Sequence, residues 1–149
     1  MNRAVGIIID TDPGIDDVIA ILLALAASSD GGLTQSGPVL QVLGLTTVGG
    51  NVPLALGTIN TLAVLDAIGR LDIPVYRGSS RPMAGRFGYS FSFHGKTGLP
   101  GRLPKRKGLH SERRATEFLA HRLCASPGGI TLVAVSYTHL RAHETEADL

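Results

Sequence analysis

The chain has 149 residues and a net charge of +2, with 44% apolar and 17% charged residues. These are globular values and exclude a disordered chain; a domain of this length buries roughly 68–70% of its unfolded surface, enough for one core. The charge is too small to argue for a nucleic-acid partner: Arg102, Lys105, Arg106 and Lys107 cluster, but without interleaved aromatics they read as a solvated loop. Cys124 is alone, so no intrachain disulfide forms and nothing points to an oxidising compartment. No signal-peptide pattern opens the chain, and the apolar run 18–27 falls far short of the roughly 20 residues a membrane span needs. That run reads as a buried helix. The expectation is a cytoplasmic protein with no membrane partner.

In chain order, residues 4–9 are apolar and rich in β-branched side chains, the pattern of a buried strand. Residues 16–27 predict a helix that Ser28, Ser29, Asp30, Gly31 and Gly32 stop. Residues 28–39 read as a Gly/Ser-rich surface connection. A second strand covers 39–48. A helix follows over 53–70, with Pro53 in its first turn, where a missing N–H costs little. Residues 73–76 form a short third strand. Residues 77–110 are long, rich in Gly, Pro and basic residues, and lack a sustained period; loops of that length are usually functional or mobile. Ser111 is a candidate cap for a helix running to about residue 125, and residues 130–135 give a fourth strand. The alternation predicts an α/β fold: a mostly parallel sheet with flanking helices and right-handed crossovers. There is no internal repeat and no low-complexity tract.

Between the first strand and the first helix lies Asp10-Thr11-Asp12-Pro13-Gly14-Ile15-Asp16-Asp17, four carboxylates in eight residues. Asp near a helix start is an ordinary cap. That accounts for Asp16 or Asp17, but not for Asp10 and Asp12, which lie two apart on one side of an extended segment. Like charges this close raise one another's pKa unless a cation or strong donors absorb them. An oxygen-only set at a strand-to-helix turn suits a hard cation, and in an open α/β sheet that turn is where ligands bind. On the predicted layout Asn51 and Val135 also fall at the carboxyl ends of strands, so they converge on the same edge.

The motif Asp-x-Asp-Pro-Gly-x-Asp-Asp after a short apolar strand resembles the signature of the inosine/uridine-preferring nucleoside hydrolases. Three later segments agree in order and approximate spacing. Leu45-Thr46-Thr47-Val48-Gly49-Gly50-Asn51 resembles the family's second strand and asparagine. Phe93-His94-Gly95-Lys96-Thr97-Gly98-Leu99 resembles its His-Gly-x-x-Gly-Leu loop. Ile130-Thr131-Leu132-Val133-Ala134-Val135 resembles the strand that supplies a backbone metal ligand. The resemblance covers residues 4 to 135.

It implies a Rossmann-like nucleoside hydrolase fold and Ca²⁺-dependent hydrolysis of the N-glycosidic bond of ribonucleosides to ribose and free base, as in purine or pyrimidine salvage. It also implies roles. Asp12 is general base and metal ligand, Asp17 a second, possibly bidentate ligand, and Val135 a ligand through its carbonyl. Asp16 binds ribose hydroxyls, Asn51 hydrogen-bonds within the site, and Asp10 organises the turn. His94 lies near the departing base, with a leaving-group or base-recognition role and an ordinary polar loop residue equally open. The resemblance further implies homo-oligomers for the full-length family.

The chain departs from the family after Val135, where a Gly-rich turn is expected. Residues 136–149 lack that glycine and carry His139 and His143. They read as a non-native or divergent tail, with a short genuine helix as the alternative, and residues 1–135 as the N-terminal part of a hydrolase domain. Family members are much longer, and their later half carries a further metal-binding aspartate, ribose-binding residues and a histidine near the base. The fold is therefore expected to be incomplete and this chain an inactive fragment. Two other functions stay open. A haloacid dehalogenase-type phosphatase would use Asp10 as nucleophile, Asp12 as acid/base, and Mg²⁺, though residues 13–17 fit it poorly. A non-catalytic fragment would at most bind Ca²⁺ or a partner. Gly95-Lys96-Thr97 is no phosphate-binding loop, because position 90 is Ser90 where that motif needs glycine. His110, His121 and Cys124 lack metal-ligand spacing; His121 and Cys124 are expected on a helix packing face.

Overall fold

The computed structural model of the chain describes residues 4–28, 39–82, 88–101 and 111–136. β1 (Val5–Thr11) is the apolar strand the sequence predicts, and Ile7, Ile8 and Ile9 are buried in it. Pro13 and Gly14 end it. α1 (Ile15–Ala27) starts one residue later, with Asp17 in its first turn accepting the Gly14 N–H, and ends where Ser28 bonds back to Leu25 and Ala24. β2 (Leu40–Thr47) and α2 (Leu54–Ala67) follow, then β3 (Val75–Arg77). A four-residue helix, α3 (Phe91–His94), lies in what reads as an unbroken loop. The chain continues as β4 (Ser111–Arg114), α4 (Ala115–Ala125) and β5 (Ile130–Ala134).

The five strands form one parallel sheet in the order β4-β3-β2-β1-β5. β1 is central to the last three, and β5 is an edge. The path β1-α1-β2-α2-β3 steps one way across the sheet, and β4-α4-β5 returns the other way. Right-handed crossovers therefore put α4 on the opposite face from α1 and α2. On the first face Ile7, Ile9, Leu45 and Val75 pack with Ile21, Leu25, Leu62 and Leu65. On the second, Phe118 of α4 lies over Gly44 and stacks on Tyr76, with ring centroids 3.9 Å apart.

Three expectations need correction. Ser111 does not cap a helix; residues 111–114 pair with β3 and the helix begins at Ala115. A polar, charged segment carries no strand signal, but such residues are what a sheet edge tolerates. Residues 18–27 are helical but not buried all round, since Ile19, Leu22 and Leu23 are exposed. His121 and Cys124 are both exposed, and α4 packs instead through Ala115 and Phe118. The basic cluster 102–107, His110, residues 29–38 and residues 137–149 lie outside the described residues.

Candidate active site

The acidic turn is held by hydrogen bonds that its own sequence and two distant loops supply. Asp17 is the hub. One of its oxygens accepts the Thr11 hydroxyl at 2.6 Å and the Asp12 N–H at 3.2 Å. The other accepts the Gly14 N–H at 3.1 Å and the Asn51 side-chain amide at 3.2 Å. Asn51 also donates its backbone N–H to Asp12 Oδ2 at 2.8 Å, so one buried residue fastens both carboxylates. Its role, open in the sequence, is to bridge them. This explains why an asparagine stands there: the bridge needs a side-chain donor and a backbone donor close together.

Close packing makes two glycines necessary. A side chain at Gly50 would put its Cβ 1.9 Å from Asp12 Oδ2, and one at Gly14 would strike the His94 ring at 2.7 Å and the Asn51 amide at 2.8 Å. His94 thus sits against the start of α1, and its Nδ1 accepts the Ile15 N–H at 3.3 Å. That bond assigns the remaining proton of the neutral ring to Nε2. The loop after α3 is anchored in turn, with Asn60 of α2 donating to the Thr97 carbonyl at 2.8 Å.

Asp12 differs from Asp17. It is 4% exposed, and its Oδ1 is buried with no hydrogen-bond partner among the described residues. Burial, then the Asp17 carboxylate and more weakly Asp16, push its pKa up to about 7, against the pull of the Asn51 and Asp12 N–H groups. A buried oxygen without a donor costs free energy. A proton or a cation relieves it, and oxygen donors suit a hard cation. Asp16 is exposed in the first turn of α1. Among the described residues no three His, Cys, Asp or Glu side chains converge as a metal cluster.

Asp10 lies one step back along β1. Its carboxylate accepts the Thr46 hydroxyl on one oxygen and the Ser136 hydroxyl, at 2.6 Å, on the other. Its carbonyl accepts the N–H groups of Val135 at 2.9 Å and Ser136 at 3.3 Å. Asp10 therefore ties strand ends together behind the turn, whose own bonds converge on Asp17. A phosphatase nucleophile would need an unencumbered Asp10. Thr11, Thr46 and Ser136 bond these carboxylates, contacts the sequence did not disclose. Thr11 is framed by the motif's first two aspartates; Ser136 has no signal of its own.

Hydrogen bonds thus join the turn, the asparagine and the histidine loop, and the β5 end meets them through Asp10. A family description, inosine-uridine preferring nucleoside hydrolase, matches residues 7–138. The chain belongs to this family. It is 42% identical over 131 residues to uridine nucleosidase 1 of Arabidopsis thaliana, covering 87% of this chain and 36% of that protein. It is 35% identical over 132 residues to the pyrimidine-specific ribonucleoside hydrolase RihA of Escherichia coli, covering 88% and 39%. Among solved structures, a plant nucleoside hydrolase superposes with a TM-score of 0.72 at 36% identity, over 87% of this chain and 39% of that one. An inosine-guanosine nucleoside hydrolase gives 0.73 at 29% identity, over 89% and 38%. The chain thus spans little more than a third of the length of these relatives. Within the family the match reaches beyond residue 135 and takes in Ser136. No helix among the described residues is long and apolar enough to cross a membrane.

Proposed function

We propose that this chain carries the catalytic turn of a Ca²⁺-dependent ribonucleoside hydrolase, with Asp12 as general base. The observation that carries the reading is the buried, unpartnered Asp12 Oδ1 beside a fully bonded Asp17. Without a cation its pKa is raised to about 7, so this oxygen gains from a proton or a cation near neutral pH. The Asn51 N–H holds Oδ2, against which Gly50 packs closely, so Oδ1 is the atom left to receive it. In the reaction a water gives its proton to Asp12 Oδ1 and its oxygen bonds to the ribosyl carbon. The carbon–nitrogen bond breaks, and its electron pair leaves with the base, which takes up a proton. His94 Nε2 is the candidate donor, since Nδ1 is turned to Ile15. Asp16, exposed at the helix start, binds ribose hydroxyls and fixes the sugar.

The orphaned Asp12 Oδ1 suits a Ca²⁺ ion, which Asp12, Asp17 and, by the family's pattern, the Val135 carbonyl would hold. Asp17 would share oxygens that already accept four bonds, so the cation also competes with the turn's own donors. The chemistry Ca²⁺ supplies when bound is orientation and acidification of a water. Two carboxylates and one carbonyl leave much of a 6–8-oxygen shell to other groups, and relatives more than twice as long have room for them. The chain by itself is therefore read as inactive. The relatives include both a pyrimidine-specific and an inosine-guanosine hydrolase, so the substrate class is ribonucleosides. Homo-oligomeric assembly and a cytoplasmic location complete the reading, the exposed thiol of Cys124 suiting a reducing compartment.

The test joins residues 1–136 to the later portion of Arabidopsis uridine nucleosidase 1 and follows uracil release from uridine. The fusion should be active with Ca²⁺ and lose it with a chelator. Asp12→Asn should lower turnover by about 10²–10⁴-fold or more, the usual worth of a general base. Near-unaltered release by that variant removes Asp12 from the role, and release by the unfused chain refutes its inactivity.

A further inference from the structure

Gly14 lies where the acidic turn meets the histidine loop, and its backbone does not ask for glycine. Its φ of −100° and ψ of −169° are extended values open to any residue. What forbids a side chain is space on two sides. A Cβ would lie 2.7 Å from His94 Cε1, 2.8 Å from His94 Nδ1 and 2.8 Å from the Asn51 amide nitrogen. The two neighbours are not held alike. Asn51 is buried and bonded three ways: its N–H to Asp12, its side-chain amide to Asp17, and its carbonyl accepting the Ser90 N–H at 3.1 Å. The His94 ring is half-buried at the end of a four-residue helix, and its Nδ1 accepts the Ile15 N–H at 3.3 Å. Ile15 opens α1, so that N–H is one a helix leaves unpaired within itself. A Cβ at position 14 would therefore push out the ring and not Asn51.

We infer that Gly14 is a positioning residue for His94: its missing side chain admits the ring to the Ile15 N–H, and that contact turns Nε2 away from Ile15 as the donor. The inference rests on the proposed reading that Nε2 protonates the departing base. A neutral imidazole carries one ring proton. With Nδ1 accepting, the proton is on Nε2, so one contact sets both the tautomer and the direction of the donor. The backbone on either side of the ring is tied down independently, Ser90 to Asn51 and Thr97 to Asn60. A displaced ring therefore swings while its loop stays. Serine or aspartate at position 14, ordinarily the better helix cap, would fail in the same way, because each brings a Cβ.

The test has two parts. In the 149-residue chain, amide hydrogen exchange is followed by NMR for the unaltered protein, Gly14→Ala and His94→Ala. Both variants should speed exchange at Ile15 by roughly 10-fold, the worth of one hydrogen bond, and leave Asn51 unchanged. Unchanged exchange at Ile15 in His94→Ala overturns the contact, whether or not Gly14→Ala folds. Faster exchange at Asn51 in Gly14→Ala overturns the assignment, because Asn51 has then given way and not the ring. In the fusion with the later portion of Arabidopsis uridine nucleosidase 1, turnover is compared on uridine and on para-nitrophenyl riboside, whose leaving phenolate needs no proton. Gly14→Ala should slow uridine by about 10²-fold, as for a catalytic group misplaced by about 1 Å, and the nitrophenyl riboside far less. Equal losses on the two substrates overturn the positioning role, since a disturbed acidic turn would slow both. An unsubstituted fusion that hydrolyses neither substrate overturns the hydrolase reading and the positioning role together. That failure shows before any substitution is made, so it cannot be confused with the others.

Discussion

α1 and α2 flank the same face of one sheet and are both apolar, yet they are enclosed very differently. α2 is buried on most sides, polar residues included, and each of those finds a partner. Thr58 bonds Leu54 and meets Thr47 at 2.9 Å, Asn60 bonds Thr97, and Thr61 bonds Gly57. α1 buries only Asp17, Ile21 and Leu25, while Ile15, Ile19, Leu22 and Leu23 are exposed. Beside it an apolar cleft of about 410 Å³ opens over β1 and β5, lined by Ile7, Ile9, Ala24, Thr131 and Val133. Helix composition is thus no guide to enclosure; what differs is the chain that closes over each helix. The acidic turn draws on the enclosed side, because Asn51 comes from the β2–α2 connection and His94 from α3, beside the loop that Asn60 anchors.

The largest effect should come from the hub of that enclosed region. Asp17→Ala leaves the Thr11 hydroxyl, the Asp12 and Gly14 N–H groups and the Asn51 amide without their acceptor. Breaking a buried charged network of this kind costs about 3–5 kcal/mol. Urea unfolding followed by circular dichroism should show it as a lower midpoint or as failure to fold. An unchanged midpoint would mean that the four bonds are not what holds the turn. Leu65→Ala, in the buried face of α2, should cost about 2–5 kcal/mol in the same measurement, since Leu65 is fully enclosed and its cavity cannot collapse against the sheet.

Asp12 should act in the opposite sense. Its carboxyl is raised from 3.8 to about 7, so the folded state holds the proton more tightly than the unfolded chain does. The associated stability is fully present below about pH 4 and is lost as pH rises through about 7. At about 1.4 kcal/mol per pKa unit the loss amounts to a few kcal/mol. Without metal, midpoints should fall between pH 5 and pH 8, and Asp12→Asn should flatten that slope and stabilise the chain at pH 8. Ca²⁺ should recover stability at pH 8 in the unaltered chain only. A flat profile in the unaltered chain would show that water or a donor already satisfies Oδ1.

Much of this was legible in the sequence, for identifiable reasons. Ile7-Ile8-Ile9 and the Pro-Gly break fix the first strand and its end, because hydrophobic runs and turn residues act locally. The acidic turn stood out because crowded charge is rare, and Asn51 was singled out by the family resemblance; hydrogen bonds join it to Asp12 and Asp17. The local pattern could not show that Asp10 faces Thr46 and Ser136, since those contacts depend on which strands become neighbours. β4 was hidden for the same reason: residues 111–114 have no strand propensity and pair only because β3 offers an edge. The partial exposure of α1 was also unreadable, because the period of an apolar helix says which residues can be buried and not what covers them.

The smallest expected effect tests the open side directly. Leu23 is 55% exposed and Ile19 53%. Burial of apolar surface stabilises in proportion to the area removed from water, and these side chains have given up little of theirs. Leu23→Lys should therefore change the stability of this chain by no more than about 0.5 kcal/mol, as for other surface sites. It should also lower self-association, because a charge interrupts the exposed apolar stripe. In the fusion carrying the later portion of Arabidopsis uridine nucleosidase 1, the outcome separates two explanations. If that portion packs against α1, Leu23→Lys buries an unpaired charge and destabilises by several kcal/mol. If α1 stays open there, the substitution remains as mild as in the 149-residue chain. Sedimentation velocity and urea midpoints on both proteins measure the difference. A large loss in the 149-residue chain itself would show that α1's outer face is already covered in solution and would end the contrast with α2.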